Sequence, residues 1–237
     1  MRTPLNAVIG FSELLQNSSR SPEEQTEYLE AINLAGNSLL SLINDILDLS
    51  KVEAGQVAIV PVPTDVAALT QELLTVFQPK AQQQKLRLRL DIKTSMPVLE
   101  LDNLRVRQIL LNLIGNAVKF TSAGTVTVHL CFIPRGELSG TLNIGVEDTG
   151  IGVDPEARDR IFEPFAQQDS VRDTHTYKGT GLGLAISQRL AETMGGTITL
   201  VSELDHGSTF SLQLENVRVA RSAVMTGPAM QVEHKPE

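Results

Sequence analysis

The chain contains no tryptophan, two tyrosines and one cysteine in 237 residues. With aromatics at 4%, its core has to be aliphatic. The single Cys131 excludes an internal disulfide framework and fits a reducing compartment. No run of about 18 apolar residues occurs, so no helical membrane span and no membrane contact is expected. No signal-peptide pattern is seen at Met1, where a helical pattern already runs; the expected location is cytoplasmic. A basic excess is missing too. The 20 Lys and Arg face 28 Asp and Glu, a formal charge of −8, which argues against a nucleic-acid surface. The G-x-x-x-x-G-K-[ST] phosphate loop is absent, and the glycine run at Gly179 lacks the third glycine of a dinucleotide fingerprint. What is present, 41% hydrophobic and 20% charged residues, is the composition of an ordinary globular protein of one or two domains.

Two helices are expected first, over residues 1–18 and 22–54. Ser21 is a good N-cap, with Pro22 at the first helical position and Glu24 three residues on. Leu29, Ile32, Gly36, Leu39, Ile43 and Ile46 repeat with a heptad-like period, widened by Leu40 and Leu47, and Gly55 is placed to stop the helix. Two helices bury too little to stand alone. Self-association into a four-helix bundle is expected; the alternative is a hairpin packed on the rest of the chain. After residue 56 the pattern changes. A short strand at Val57–Val60 leads to a helix started by Thr64 or Asp65, which Pro79 should kink or end. Strands follow at Leu86–Ile92, Val126–Phe132, Leu142–Glu147, Thr197–Ser202 and Thr209–Leu214. Helices are capped by Asp102 and run over Leu184–Met194. Residues 56–215 therefore read as an α+β sandwich with helices on one face of a mixed sheet. Residues 216–237 read as a disordered tail.

Three stretches carry chemistry. In Asn112–Phe120, helical geometry places Asn112, Asn116 and Lys119 within about 60° of one another, beside an apolar stripe of Val106, Ile109, Leu110, Leu113 and Ala117. Amide oxygens suit Mg²⁺, and a lysine suits phosphate. In Asp148-Thr149-Gly150-Ile151-Gly152, a carboxylate follows an apolar strand. It can accept from an exocyclic amino group and so favour adenine, with Gly150 and Gly152 clearing space for a flat ring. In Gly179-Thr180-Gly181-Leu182-Gly183-Leu184, a glycine turn enters a helix and offers N–H groups to phosphates. Between the last two lies a long loop. Its polar part, residues 167–178, contains Arg172, His175 and Lys178 and reads as a lid. Each stretch alone has a bland reading: a solvated helix face, an ordinary turn, a charged loop.

Their order resembles the sensor histidine kinases of two-component systems. Arg2-Thr3-Pro4-Leu5-Asn6-Ala7 is similar to the end of that family's H box. Asn112–Phe120 resembles the N box, Asp148–Gly152 the G1 box, Phe162–Phe165 the F box and Gly179–Leu184 the G2 box. Gly207-Ser208-Thr209-Phe210 resembles a last, weaker motif. The resemblance covers about residues 1–215. It implies a dimerisation and histidine-phosphotransfer hairpin over residues 1–55, then an ATP-binding domain of the GHKL type. By that resemblance Asn116 holds Mg²⁺ and Asn112 and Lys119 lie beside the phosphates. Asp148, with Gly150 and Gly152, reads adenine, and Thr209 lies near it. Lys178, Gly179, Thr180, Gly181, Leu182, Gly183 and Leu184 close on the phosphates, and Thr3 orients water for dephosphorylation. The implied cofactors are ATP and Mg²⁺; the implied partners are a second copy and a response-regulator receiver domain. The family's H box begins His-Glu, whereas this chain starts at the box's third position. His129, His175, His206 and His234 do not precede Arg-Thr-Pro, so this chain is not expected to phosphorylate itself. Rival readings are a GHKL ATPase driving a conformational cycle and an acceptor-free nucleotide-binding or dimerisation partner.

Overall fold

Ser21 opens the long helix as its neighbours dictate. Its hydroxyl accepts from the Glu24 N–H at 3.2 Å, and the Glu24 carboxylate accepts from the Ser21 N–H at 2.9 Å, a closed capping box. The computed structural model describes residues 2–16, 21–136, 138–166 and 180–220. In it α1 spans Arg2–Leu15 and α2 spans Pro22–Glu53. Gly55, at φ +65°, ends α2. Its N–H bonds the Val52 carbonyl while Gln56 N–H bonds that of Lys51, the two closing bonds of a Schellman motif. Phe11 of α1 lies against Tyr28 of α2, ring centroids 5.6 Å apart. The apolar stripe of α2 divides. Leu42, Ile46, Leu49 and Val52 pack against the core of the second domain. Leu29, Leu34, Leu40, Ile43 and Leu47 stay exposed.

The second domain is a seven-stranded mixed sheet covered on one face by three helices. Its elements are β1 (Val62–Thr64), α3 (Val66–Gln83), β2 (Leu86–Ile92), β3 (Leu99–Leu101), α4 (Asn103–Phe120), β4 (Gly124–Pro134), β5 (Ser139–Asp148), α5 (Gly183–Thr193), β6 (Gly196–Glu203) and β7 (Gly207–Val219). The strand order is β1-β3-β7-β5-β4-β2, with β6 also on β7. Among the described residues only the β2–β4 pair is parallel. Val126, Val128, Leu130 and Phe132 of β4 are buried under the helices, with Val146, Ile144 and Leu142 of β5 and Phe210, Leu212 and Leu214 of β7. Alternate residues such as Thr127, His129 and Ser211 face outward. α4 is the central helix: Val106, Ile109, Leu110, Leu113, Ile114 and Val118 have no solvent exposure. Asp102 caps it, accepting from Arg105 N–H at 3.1 Å.

Three expectations need correction. Residues 57–60 form no strand; instead the Val60 N–H donates to Asp102 Oδ2 at 2.9 Å. The strand comes later, as β1 on the sheet edge, where Pro63 has no ladder donor to supply. Pro79 does not end α3, which runs on to Gln83 with Ala81 fully buried beyond it. The last strand also outruns residue 214. Asn216 adopts φ +53°, and the β5–β7 register shifts between Gly140 and Leu142. The chain then resumes with Val217 buried, Val219 N–H on the Leu138 carbonyl and Ala220 N–H on that of Val98. β7 therefore runs on to Val219. Among the described residues no helix is long and apolar enough to cross a membrane.

Candidate nucleotide site

The site is organised along one edge of α4. At the C-terminal end of that helix sits the Asp148 turn. Gly150 N–H donates to Asp148 Oδ1 at 2.8 Å, and Ile151 N–H reaches the Phe120 carbonyl at 3.4 Å. Asp148 is 7% exposed. Burial raises its carboxyl above the ordinary 3.8; hydrogen bonds from the Gly150 and Ser208 backbones and the Thr121 side chain pull the other way, and nearby Glu147 adds to the rise. The glycines have a packing role as well. A Cβ on Gly150 would stand 2.4 Å from the Phe120 carbonyl oxygen, and one on Gly152 2.1 Å from that of Glu203. They let the turn dock on α4 and on the end of β6.

One face of α4 carries the amides. Asn112 Nδ2 donates to Ser187 Oγ of α5 at 3.0 Å, and Asn116 Nδ2 donates to Asn112 Oδ1 at 3.4 Å. The Asn112 amide is thus engaged inside the protein, while the Asn116 oxygen has no protein donor in these bonds. Lys119 Nζ lies 4.6 Å from the centroid of the Phe120 ring. Its ammonium is held below 10.5, first by burial and then by the Lys80 cation, so it gains from an anion. Among the described residues no cluster of three or more His, Cys, Asp or Glu is set to hold a metal. A cation here would fit one amide oxygen together with phosphate oxygens, which is magnesium's habit.

The third stretch enters α5. Gly181 has φ +72°, and its carbonyl accepts from Phe165 N–H at 2.9 Å. Gly183 sits so close to Asn112 that a Cβ would lie 2.2 Å from Oδ1. Leu182 is fully buried, Leu184 packs on the core, and among the described residues no side chain caps α5, whose first N–H groups have no partner within the helix itself. Thr180 turns toward the hairpin. Its hydroxyl donates to Asp45 Oδ2 of α2 at 2.9 Å and accepts from Leu182 N–H at 3.2 Å. Burial raises the Asp45 carboxyl, partly offset by Thr180 and reinforced by Asp48. Asp48 accepts from Gln108 Nε2 of α4 at 3.0 Å. Phe162 packs edge-on against Phe210, 6.4 Å between centroids.

The expected residues therefore gather as Asn112, Asn116 and Lys119 on α4, Asp148, Gly150 and Gly152 at its end, and Thr180–Leu184 at its side. Thr209 does not join them. It pairs with Glu147 and Val201, on the face of the sheet away from Asp148. Its neighbour Ser208 pairs directly with Asp148, is 7% exposed and supplies a backbone bond to the carboxylate. Ser208 was legible: it alternates in phase with Phe210, Leu212 and Leu214. Thr121 and Ser187, both buried, were also missed, because a lone hydroxyl gives no signal by itself. Lys178, Gly179, His175 and the side chain of Thr3 lie outside the described residues.

Two family models match the chain: His Kinase A (phospho-acceptor) domain over residues 1–55, and Histidine kinase-, DNA gyrase B-, and HSP90-like ATPase over residues 101–218. The sensor protein GacS of Pseudomonas syringae pv. syringae is 41% identical over 216 residues, covering 91% of this chain and 24% of its own length. The signal transduction histidine-protein kinase BarA of Shigella flexneri is 36% identical over 235 residues, 98% of this chain and 25% of its own. Full-length ShkA, solved in complex with AMPPNP, superposes with a TM-score of 0.73 at 35% identity, covering 93% of this chain and 44% of its own. The chain spans about a quarter of the length of these two curated relatives.

Proposed function

The chain belongs to the sensor histidine kinases of two-component systems, and we propose that it supplies the hairpin and ATP-binding domain of such a kinase. In this reading the kinase moves the γ-phosphoryl group of Mg-ATP to a histidine, then to an aspartate on a response-regulator receiver domain. The observation that carries the reading is α4 itself. From Asn112 to Phe120 it spans about 12 Å at 1.5 Å per residue, with a buried carboxylate turn at one end and amides, a lysine and an uncapped helix start along the rest. That is a base-to-phosphate arrangement.

Asp148 accepts from the exocyclic amino group of adenine. The first N–H groups of α5 and the Lys119 ammonium hold phosphate oxygens. Asn116 Oδ1 holds Mg²⁺, which when bound offsets the phosphate charge. No histidine occurs in α1 or α2. His129 is engaged on the outer sheet by Asp91 and Glu147 at 3.1 and 2.7 Å, and His206 bonds the Leu204 carbonyl at 3.0 Å. Neither is placed to take a phosphoryl group on the hairpin. A gyrase- or Hsp90-like conformational ATPase would share the pocket but has no use for the residue 1–55 match. The exposed α2 seam supports pairing with a second copy into a four-helix bundle. Titration calorimetry tests the pocket: Mg-ATP should bind and Mg-GTP should bind more weakly. No ATP binding, or equal binding of both, would overturn the reading. A chain that also carries the acceptor should take up acid-labile, base-stable label from ATP.

A further inference from the structure

Asp45 and Asp48 lie about one turn apart on α2, and both reach the same end of the nucleotide site. Asp45 Oδ2 accepts from the Thr180 hydroxyl at 2.9 Å. Asp48 Oδ2 accepts at 3.0 Å from Nε2 of Gln108, which precedes Asn112 by a turn on α4. This is the end at which α5 begins, because Gly183 lies against Asn112, whereas the Asp148 turn meets α4 at the Phe120 carbonyl. A nucleotide with its base at Asp148 therefore runs toward α2, and its last phosphate comes closest to these carboxylates. We infer that Asp45 is a specificity-determining residue: it places a negative charge beyond the terminal phosphate and so narrows the preference of the site for a triphosphate over a diphosphate. The inference rests on the nucleotide reading given above.

Asp45 and a phosphate draw on the same feature. The start of α5 is the positive end of a helix dipole, from which any nearby anion gains. Thr180 ties the Asp45 carboxylate to that start: the hydroxyl that donates to Asp45 also accepts from the Leu182 N–H at 3.2 Å. The chain itself thus puts an anion there. Leu42, Ile46 and Leu49, packed on the core around it, hold this part of α2 in place. The charge is weakly compensated. Burial raises the Asp45 carboxyl, the Thr180 hydroxyl pulls it down, and Asp48 raises it again. Its bonded partner is a neutral hydroxyl, while the Arg105 guanidinium donates to Gln108 Oε1 at 3.2 Å. Each further phosphate brings more negative charge nearer to Asp45, so the repulsion grows from mono- to di- to triphosphate.

The test is the affinity of the whole chain for AMPPNP, ADP and AMP with Mg²⁺ at mildly alkaline pH, measured by calorimetry. Asp45→Asn keeps an oxygen for the Thr180 hydroxyl and removes the charge. It should tighten AMPPNP binding roughly tenfold, the order of one like charge removed from about 10 Å at the effective dielectric of a protein surface. ADP should gain about threefold at most, and AMP should stay within about twofold, on the same reasoning. Raising the salt should shrink the AMPPNP gain. Asp45→Ser, a second neutral variant, should show the same order of gains, whereas Asp45→Glu keeps the charge and should keep the original ratio of AMPPNP to ADP affinity. Unchanged AMP binding also certifies that the variant pocket is folded. An unchanged ratio in both neutral variants, or a gain shared equally by AMP, would leave Asp45 with a docking role alone and overturn the inference. Weaker AMPPNP binding in both would overturn it as well. If the unsubstituted chain binds neither AMPPNP nor ADP, the nucleotide reading itself falls and takes the inference with it.

Discussion

Asp148 is a carboxylate that its surroundings make reluctant to ionise. Burial lifts it above 3.8 against three opposing hydrogen-bonding groups. For folding, the sign follows directly: a group whose folded value is raised favours the folded state at low pH, and that contribution is lost as pH rises through the raised value. In the proposed reading adenine binding runs the other way, because the ionised carboxylate is the stronger acceptor for the amino group. ATP affinity should therefore fall as pH drops through a value above 3.8, at a pH where an unperturbed aspartate is still charged. Asp148→Asn should weaken ATP binding roughly tenfold, the order of a lost hydrogen bond to a charged group, flatten this pH dependence and narrow the gap to GTP. Calorimetry across the acid range reads all three. A variant with the same slope would show that another group titrates. At this scale Asp148, Asn116 and Lys119 were legible in the sequence, since each is a charged or amide side chain in a spacing that an apolar face does not explain. Thr209 was misplaced by one residue, and one residue on a strand is a change of face. The reason for Gly150 and Gly152 was also hidden, because what their absent Cβ atoms avoid, the Phe120 and Glu203 carbonyls, lies far away in sequence.

The elements were legible where local chemistry closes on itself. The Ser21 capping box, the Gly55 stop and the Asp102 cap each use residues within a few positions, so their signatures could be read in order. They were not legible where a distant partner decides. Residues 57–60 look like a strand by alternation, but the Val60 N–H is taken by Asp102. Pro79 looks like a helix end, yet the burial of Ala81 keeps the following turn in place. β7 seems to stop near residue 215 because its apolar phase slips there: Leu214 and Val217 are both buried, three residues apart, across Asn216 in a left-handed conformation that asparagine tolerates. Asp102 carries the greatest consequence at this scale, since one side chain both caps α4 and fastens the linker from α2. Asp102→Ala should lower stability by roughly 2–4 kcal/mol, a cap plus a charge-assisted bond. Asp102→Asn should recover much of that loss, because an amide oxygen still caps. Thermal unfolding separates the two variants. Equal Tm values for Asp102→Ala and the unsubstituted chain would mean that neither bond matters.

Across the whole molecule, the hairpin has two sides that differ in kind. Toward the ATP-binding domain it offers Leu42, Ile46, Leu49 and Val52, with Asp45 and Asp48 bonded to Thr180 and Gln108. Away from it, Leu29, Leu34, Leu40, Ile43 and Leu47 face solvent. Exposed apolar side chains at helical spacing mark an interface, and a second copy with the same stripe is the occupant proposed for it. α1 has 14 residues and α2 has 32, about 21 and 48 Å at 1.5 Å per residue, so among the described residues α1 flanks less than half of α2. Each copy also carries a formal charge of −8, so repulsion opposes pairing and salt relieves it. Sedimentation should therefore show a monomer–dimer mixture that shifts toward dimer with concentration and with salt. Ile43→Lys places a charge in the seam without touching the pocket. It should yield monomer at every concentration tested while leaving Mg-ATP affinity unchanged. A dimer that persists at nanomolar concentration, or that survives Ile43→Lys, would mean that the contact lies elsewhere on the molecule.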